Sequence, residues 1–171
     1  MALQFAQTVD RLTLEKYKGF KKLCTAAEWS AFEPKIIAQL KQAWGSERLK
    51  IRMYRKEYDR AVAILSKGRY PMSVRDTEYE VKVAKKLEKR YPEEILKYYL
   101  TGLGNLNRND QRKEYARKAK VMAKVRHMLV DVIGDEARWE KFACKVKQDN
   151  LRRPAFQQEF ADAVPGWSEL N

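Results

Sequence analysis

YPEEILKYYLTGLGNLNRNDQRKEYARKAKVMAKVRHMLVDVIGDEARWEKFACKVKQDNLRRPAFQQEF, residues Tyr91 to Phe160, decides the fold. Pro92 suits the first turn of a helix, where its missing N–H would have no partner anyway. Glu93 and Glu94 follow at the positive end of that helix's dipole. Ile95, Tyr98, Tyr99 and Leu103 hold one apolar face, and Gly102, Gly104 and the polar run 105–109 end it. Asp110 predicts the cap of the longest helix, which runs to about Ile133 and stops at Gly134. Asp135 predicts the next start, with Trp139, Phe142, Ala143 and Val146 on one face and Asn150 closing it. Pro154 opens a last short helix carrying Phe156, Phe160 and Val164, ended by Pro165 and Gly166.

Upstream, a first helix is predicted over about Asp10 to Cys24, with Leu12, Tyr17, Phe20 and Leu23 or Cys24 as its stripe. Thr25 and Glu28 have the spacing of a capping box and open a short helix through Trp29 and Phe32. Pro34 predicts a fresh helix start. Ile36, Ile37, Leu40 and Trp44 then share a face, and Gly45 ends the segment. Leu49, Ile51 and Met53 alternate like a strand, but no second run offers a partner strand, so a helix is the better reading, with a break near Tyr54–Glu57. Tyr58, Ala61, Val62 and Leu65 follow a helical period. Gly68, Pro71 and Ser73 predict a loop over Lys67–Asp76, after which Asp76 or Thr77 caps a helix with Tyr79, Val83 and Leu87 on one face.

Seven or eight helices with short connections predict an all-α fold. The expected form is a right-handed superhelix of stacked antiparallel helical hairpins, tetratricopeptide-like, as a single repeat domain over residues 1–171. Tyr58-x-x-Ala61 and Tyr115-x-x-x-Ala119 are weak internal echoes, and no strict period near 34 residues runs through the chain.

The 171 residues are 44% apolar with only 7 Gly and 5 Pro, which excludes a disordered chain and argues against a turn-rich sandwich or barrel. The net charge of +13 is uneven: 16 basic and 7 acidic residues in 1–75, 20 and 16 in 76–171, and no base in the last 18. Such a balance favours nucleic acid, anionic lipid or an acidic protein as partner. Cys24 and Cys144 are too far apart in sequence for a CxxC motif or a zinc site, and free thiols are expected. Met1–Leu12 lacks the basic start and unbroken apolar core of a signal peptide, and the longest apolar run, Ala61–Leu65, is too short to cross a bilayer. A cytoplasmic location with no membrane contact is expected.

Lys113, Arg117, Lys120 and Lys124 recur at spacings of 4, 3 and 4, which lays them in one row on the longest helix. They form the first candidate anion- or partner-binding site. Ala116, Ala119 and Ala123 form a second row that admits a close neighbour. Arg48, Lys50, Arg52, Arg55, Lys56 and Arg60, interleaved with Tyr54 and Tyr58, form a second basic cluster of the kind that stacks on single-stranded bases. Arg152 and Arg153 make a smaller third. His127 is the sole histidine and has no predicted triad partner. Gly102-x-Gly104 follows a helix and not a strand, so it does not read as a phosphate loop. GxSxG, HExxH and EF-hand patterns are all absent, so no catalysis, cofactor or metal is expected.

Four segments in order carry a family likeness: Tyr91-Pro92-Glu93-Glu94-Ile95, then Tyr115-x-x-x-Ala119-x-Val121-Met122-x-x-Val125-Arg126, then Trp139-x-x-Phe142-Ala143, then Asn150-Leu151-Arg152-Arg153-Pro154-Ala155-Phe156. This order resembles the α-helical region downstream of SWIM zinc fingers. The likeness covers roughly Ala26 to Phe160. The Cys-x-Cys and Cys-x-His signature of the finger itself is missing, so neither zinc nor a SWIM-type DNA contact carries over. The resemblance implies a tetratricopeptide-like accessory segment and a chain that is part of a longer protein. The function expected is a non-enzymatic scaffold for protein–protein interaction that takes a protein or acidic peptide. The alternative is a nucleic-acid-binding accessory module using the basic clusters.

Overall fold

A computed structural model of the chain describes residues 12–71 and 78–170. Among them there is helix and no strand. The chain divides into two compact units, one ending at Ile64 and one starting at Leu65. The sequence predicts one repeat domain.

In the first unit, α1 covers Leu14–Leu23 and is capped by Thr13, whose hydroxyl accepts from the Lys16 N–H. Asp10, the expected start, lies outside the described residues. α2 covers Ala26–Ala38 and opens with the expected capping box: the Thr25 hydroxyl accepts from Glu28 N–H, and the Glu28 carboxylate accepts from Thr25 N–H. Pro34 does not start a new helix. It sits inside α2, exposed, and Ser30, whose carbonyl loses its usual donor, is exposed as well. Trp29, Phe32, Ile36 and Ile37, on both sides of the proline, all reach one core with Tyr17, Leu40 and Ile51. That shared burial keeps the helix continuous across it.

α2 tightens into a 3₁₀ turn at Gln39–Gln42, and the chain is extended at Ala43 and Trp44. The tighter turn breaks the 3.6-residue phase, so Trp44 leaves the apolar stripe and is 63% exposed. Gly45 does not end a helix either; it begins α3, Gly45–Tyr54. The predicted break follows, marked by Lys56 in the left-handed region at φ 58°. α4 then covers Tyr58–Lys67, with Ala61, Val62 and Leu65 buried as expected, and the division between units falls within it.

In the second unit, Ser73 of the predicted loop and the caps predicted at Asp76 or Thr77 lie outside the described residues. α5 covers Glu78–Leu87 and buries Val83, Ala84 and Leu87. α6 covers Pro92–Thr101, with Pro92 in its first turn as predicted and Ile95, Leu96, Tyr98 and Tyr99 buried. α7, Arg112–His127, is the central element. It continues into a π-helical segment, Met128–Ile133, that Gly134 ends at φ 77°, a conformation only glycine adopts without strain. α8 covers Glu136–Asp149 and is capped by the Asp135 carboxylate on Arg138 N–H. α9 covers Pro154–Ala163.

α9 packs on α7 more broadly than any other pair, and α6 also lies against α7. The α7–α9 contact is aromatic: Tyr115 meets Phe156 edge-on at 5.4 Å, Phe156 stacks on Phe160 at 4.0 Å, and Phe160 meets Trp167 at 4.9 Å. The wholly buried Phe156 and Phe160 rings each contribute about 1.5–3 kcal/mol of hydrophobic stabilisation. Ala119 is fully buried, as a close helix neighbour requires.

Candidate functional site

Asp110 does not cap α7. Gln111 occupies the cap position, without a side-chain bond, and the Asp110 carboxylate turns inward to take the Lys118 ammonium at 2.6 Å. The same ammonium donates to the Asn105 carbonyl at 2.7 Å. Lys118 is buried, and a buried ammonium without a counter-charge is far more costly than a helix end left to water. Spacing alone did not single Lys118 out, because it lies between the members of the basic row.

The row itself separates. Lys113 and Lys120 are exposed and Lys124 is half-buried. Arg117 is engaged within the fold: its Nε and Nη2 grip the Glu114 carboxylate at 2.9 and 2.7 Å, and Nη2 donates to the Gly102 carbonyl at 3.0 Å. Those bonds hold the Glu114 carboxyl below the usual carboxylate range.

Lys120 and Lys124 open onto a groove of about 800 Å³, facing Lys85 of α5, Glu88 just past its end, His127 of α7 and Asp162 of α9. The Lys124 ammonium lies 5.7 Å from the centre of the Tyr99 ring. The Tyr99 hydroxyl donates to Glu88 Oε1 at 2.7 Å, and burial, reinforced by that carboxylate, pushes the phenol well above its ordinary pKa. The other Glu88 oxygen is 3.6 Å from His127 Nε2, and His127 Nδ1 is 2.8 Å from Asp131. His127 therefore has carboxylates at both ring nitrogens, but its side chain is 48% exposed. Three lysines against two carboxylates leave the groove's rim cationic. Ala123, Ala163 and the lysine stems give it carbon walls.

The second cluster separates in the same way. Arg52 pairs with Glu57, and Arg55 bonds Glu57 at 2.8 Å and also Glu33. Burial alone would raise the Glu57 carboxyl, but the bonds from Arg55 and Arg52 outweigh it, and its pKa is held below the ordinary value. Lys50 pairs with Glu47 at 2.6 Å. Arg48 and Lys56 are exposed. In the third spot Arg152 is exposed, whereas Arg153 is a clamp. Its guanidinium donates to Asn150 Oδ1 at 2.8 Å, to the carbonyls of Leu106 and Arg108 at 3.2 Å each, and to that of Asn107. Buried Asn150 adds a bond to the Val146 carbonyl at 2.8 Å. Asn150 and Arg153 thus tie the 105–108 loop to the start of α9.

Cys24 and Cys144 are free and half-buried. Among the described residues no group of three His, Cys, Asp or Glu is placed to hold a metal ion, and no helix is long and apolar enough to cross a membrane. Comparison of the chain with known protein families, with curated proteins and with solved structures finds no match.

Proposed function

We propose that this chain is a non-enzymatic α-helical scaffold whose second unit binds an acidic, partly apolar segment of another protein. The observation that carries the reading is the groove between α5, α7 and α9: a rim of Lys85, Lys120 and Lys124 over carbon walls. A carboxylate-bearing peptide satisfies the rim while its apolar side chains cover the walls. The broad packing of α7 on α9, two helices apart in sequence, supports a tetratricopeptide-like stack of hairpins. So does the resemblance to the region downstream of SWIM fingers, which fits an accessory segment of a longer, cytoplasmic protein. His127 belongs to this reading as part of the groove wall, beside Lys124 and Glu88.

The test is affinity capture from the native host with the full chain and with Lys85, Lys120 and Lys124 changed to Glu. Arg117 stays untouched, since its removal perturbs the fold. Loss of the captured partner with an unchanged melting curve is expected. Capture of the same partner by both chains would remove the groove from consideration.

A further inference from the structure

The first unit carries a separate surface that the groove does not explain. Tyr54, the last residue of α3, is 43% exposed beside the C-terminal half of α1. Its ring meets buried Tyr17 edge-on at 6.0 Å. Tyr17 is itself fixed: it packs edge-on against Trp29 at 5.1 Å, its hydroxyl donates to Glu33, and Arg55 donates to that hydroxyl at 2.9 Å. Tyr54 is therefore an exposed aromatic on a rigid base. The ammonium groups of Lys18 and Lys21 lie 5.0 and 5.8 Å from its ring centre. Lys56, set by its left-handed backbone just past the helix end, lines the same notch of about 520 Å³ with Lys21 and Tyr54. Among the described residues, Glu33 is the one carboxylate lining the notch, and it is neutralised by Arg55. Among the described residues none of the three lysines has an ion-pair partner.

From this geometry we propose that the notch binds single-stranded nucleic acid. One base stacks on Tyr54, and Lys18, Lys21 and Lys56 take the flanking phosphates. The like charges of Lys18 and Lys21 beside the ring and of Lys56 in the notch repel one another in the free protein, and a polyanion relieves that repulsion. The aromatic adds what charge alone lacks, a flat face for a base that a duplex keeps hidden. The anchors are not Arg52 and Arg55, which the sequence placed in this cluster, because those guanidinium groups are held by Glu57 and Glu33.

The experiment is a fluorescence-anisotropy titration of the full chain against a short labelled oligouridylate at two salt concentrations, with a duplex RNA of similar length as competitor. Three phosphate contacts give a log–log salt slope of about −2. Tyr54→Ala weakens binding about tenfold, whereas Tyr54→Phe, which keeps the ring, binds as the native chain does. The exposed pair Lys18→Glu with Lys21→Glu weakens it by more than tenfold, and the equally exposed pair Lys141→Glu with Lys145→Glu leaves it unchanged. Circular dichroism melts confirm that each variant folds. No binding, salt-insensitive binding, equal competition by the duplex, or native affinity in the folded Lys18/Lys21 variant would overturn the proposal.

Discussion

Arg152 and Arg153 are neighbours with the same charge, and the structure predicts opposite consequences for their removal. Arg153→Ala deletes a guanidinium that bonds Asn150 Oδ1 and the carbonyls of Leu106, Asn107 and Arg108. Asn150 is buried, so its orphaned oxygen costs about 1–3 kcal/mol. The three carbonyls sit on a largely exposed loop that water can reach, and each loses only a few tenths to about 0.5 kcal/mol. The expected loss is therefore about 2–4 kcal/mol. Arg153→Lys recovers part of it, because an ammonium can satisfy one or two of the four acceptors but not the whole fork. Arg152→Ala, at an exposed position, changes stability by less than about 0.5 kcal/mol. Urea titrations of the three variants followed by circular dichroism measure the ranking, with an unchanged denaturant slope showing that the unfolding reaction is the same. If Arg153→Ala matches the native midpoint, or Arg152→Ala shifts it as far, the clamp is not a stabilising element.

Two glycines in or next to helices give a paired test. Gly19→Ala in α1 meets no atom within 4 Å and should stabilise by about 0.5–1 kcal/mol through helix propensity, whereas Gly102→Ala places a methyl 2.7 Å from the Tyr70 ring and should destabilise by about 1–3 kcal/mol; thermal melts of the two variants should move in opposite directions. Glu57→Gln tests linkage: because the folded pKa of Glu57 lies below its unfolded value, its contribution is present above about pH 4.3 and disappears as pH falls through the folded pKa. The variant should be less stable than the native chain at neutral pH and approach it in acid, as urea midpoints against pH would show. Tyr99→Phe releases the Glu88 carboxylate from its buried hydroxyl partner, so a lower melting temperature is expected, measured by calorimetry; an unchanged one would mean that water replaces the phenol there.

The helices were legible where a local signal decided them. Thr25 with Glu28, Pro92, Gly134, Asp135 and Pro154 are each written within a few residues of the end they set. The readings that failed needed knowledge of the far side of a contact. Pro34 reads as a start until Trp29 and Ile36 are known to share one core, and Trp44 stays in the stripe until the turn before it is known to tighten. Asp110 has the sequence of a cap, but the buried ammonium of Lys118 competes for its carboxylate. The candidate site was half legible for the same reason. Helical spacing placed Lys120 and Lys124 on one row, but could not show that Lys85, Glu88 and Asp162 face them from other parts of the chain. Lys18 and Lys21 lie more than thirty residues from Tyr54, and nothing in either segment announces the other.

Four arginines of this chain differ from its exposed lysines along a chemical line. Arg52, Arg55, Arg117 and Arg153 are all drawn into the fold, each bonding a carboxylate or several carbonyls. Lys18, Lys21, Lys56, Lys113 and Lys120 stand outside, whereas Lys118 is taken in where two oxygens converge on it. A planar guanidinium with five donors can close several backbone acceptors at once and is weakly hydrated, so folding recruits it; an ammonium is strongly hydrated and gives up water reluctantly. The outward charge is therefore carried largely by lysines on flexible stems. A surface of that kind answers to diffuse negative charge and adapts to its spacing, and it lacks the rigid bidentate grip that singles out one carboxylate or one phosphate. In the binding proposed for each surface, specificity comes from what lies beside the lysines: the carbon walls of the groove in the second unit, and the ring of Tyr54 in the first.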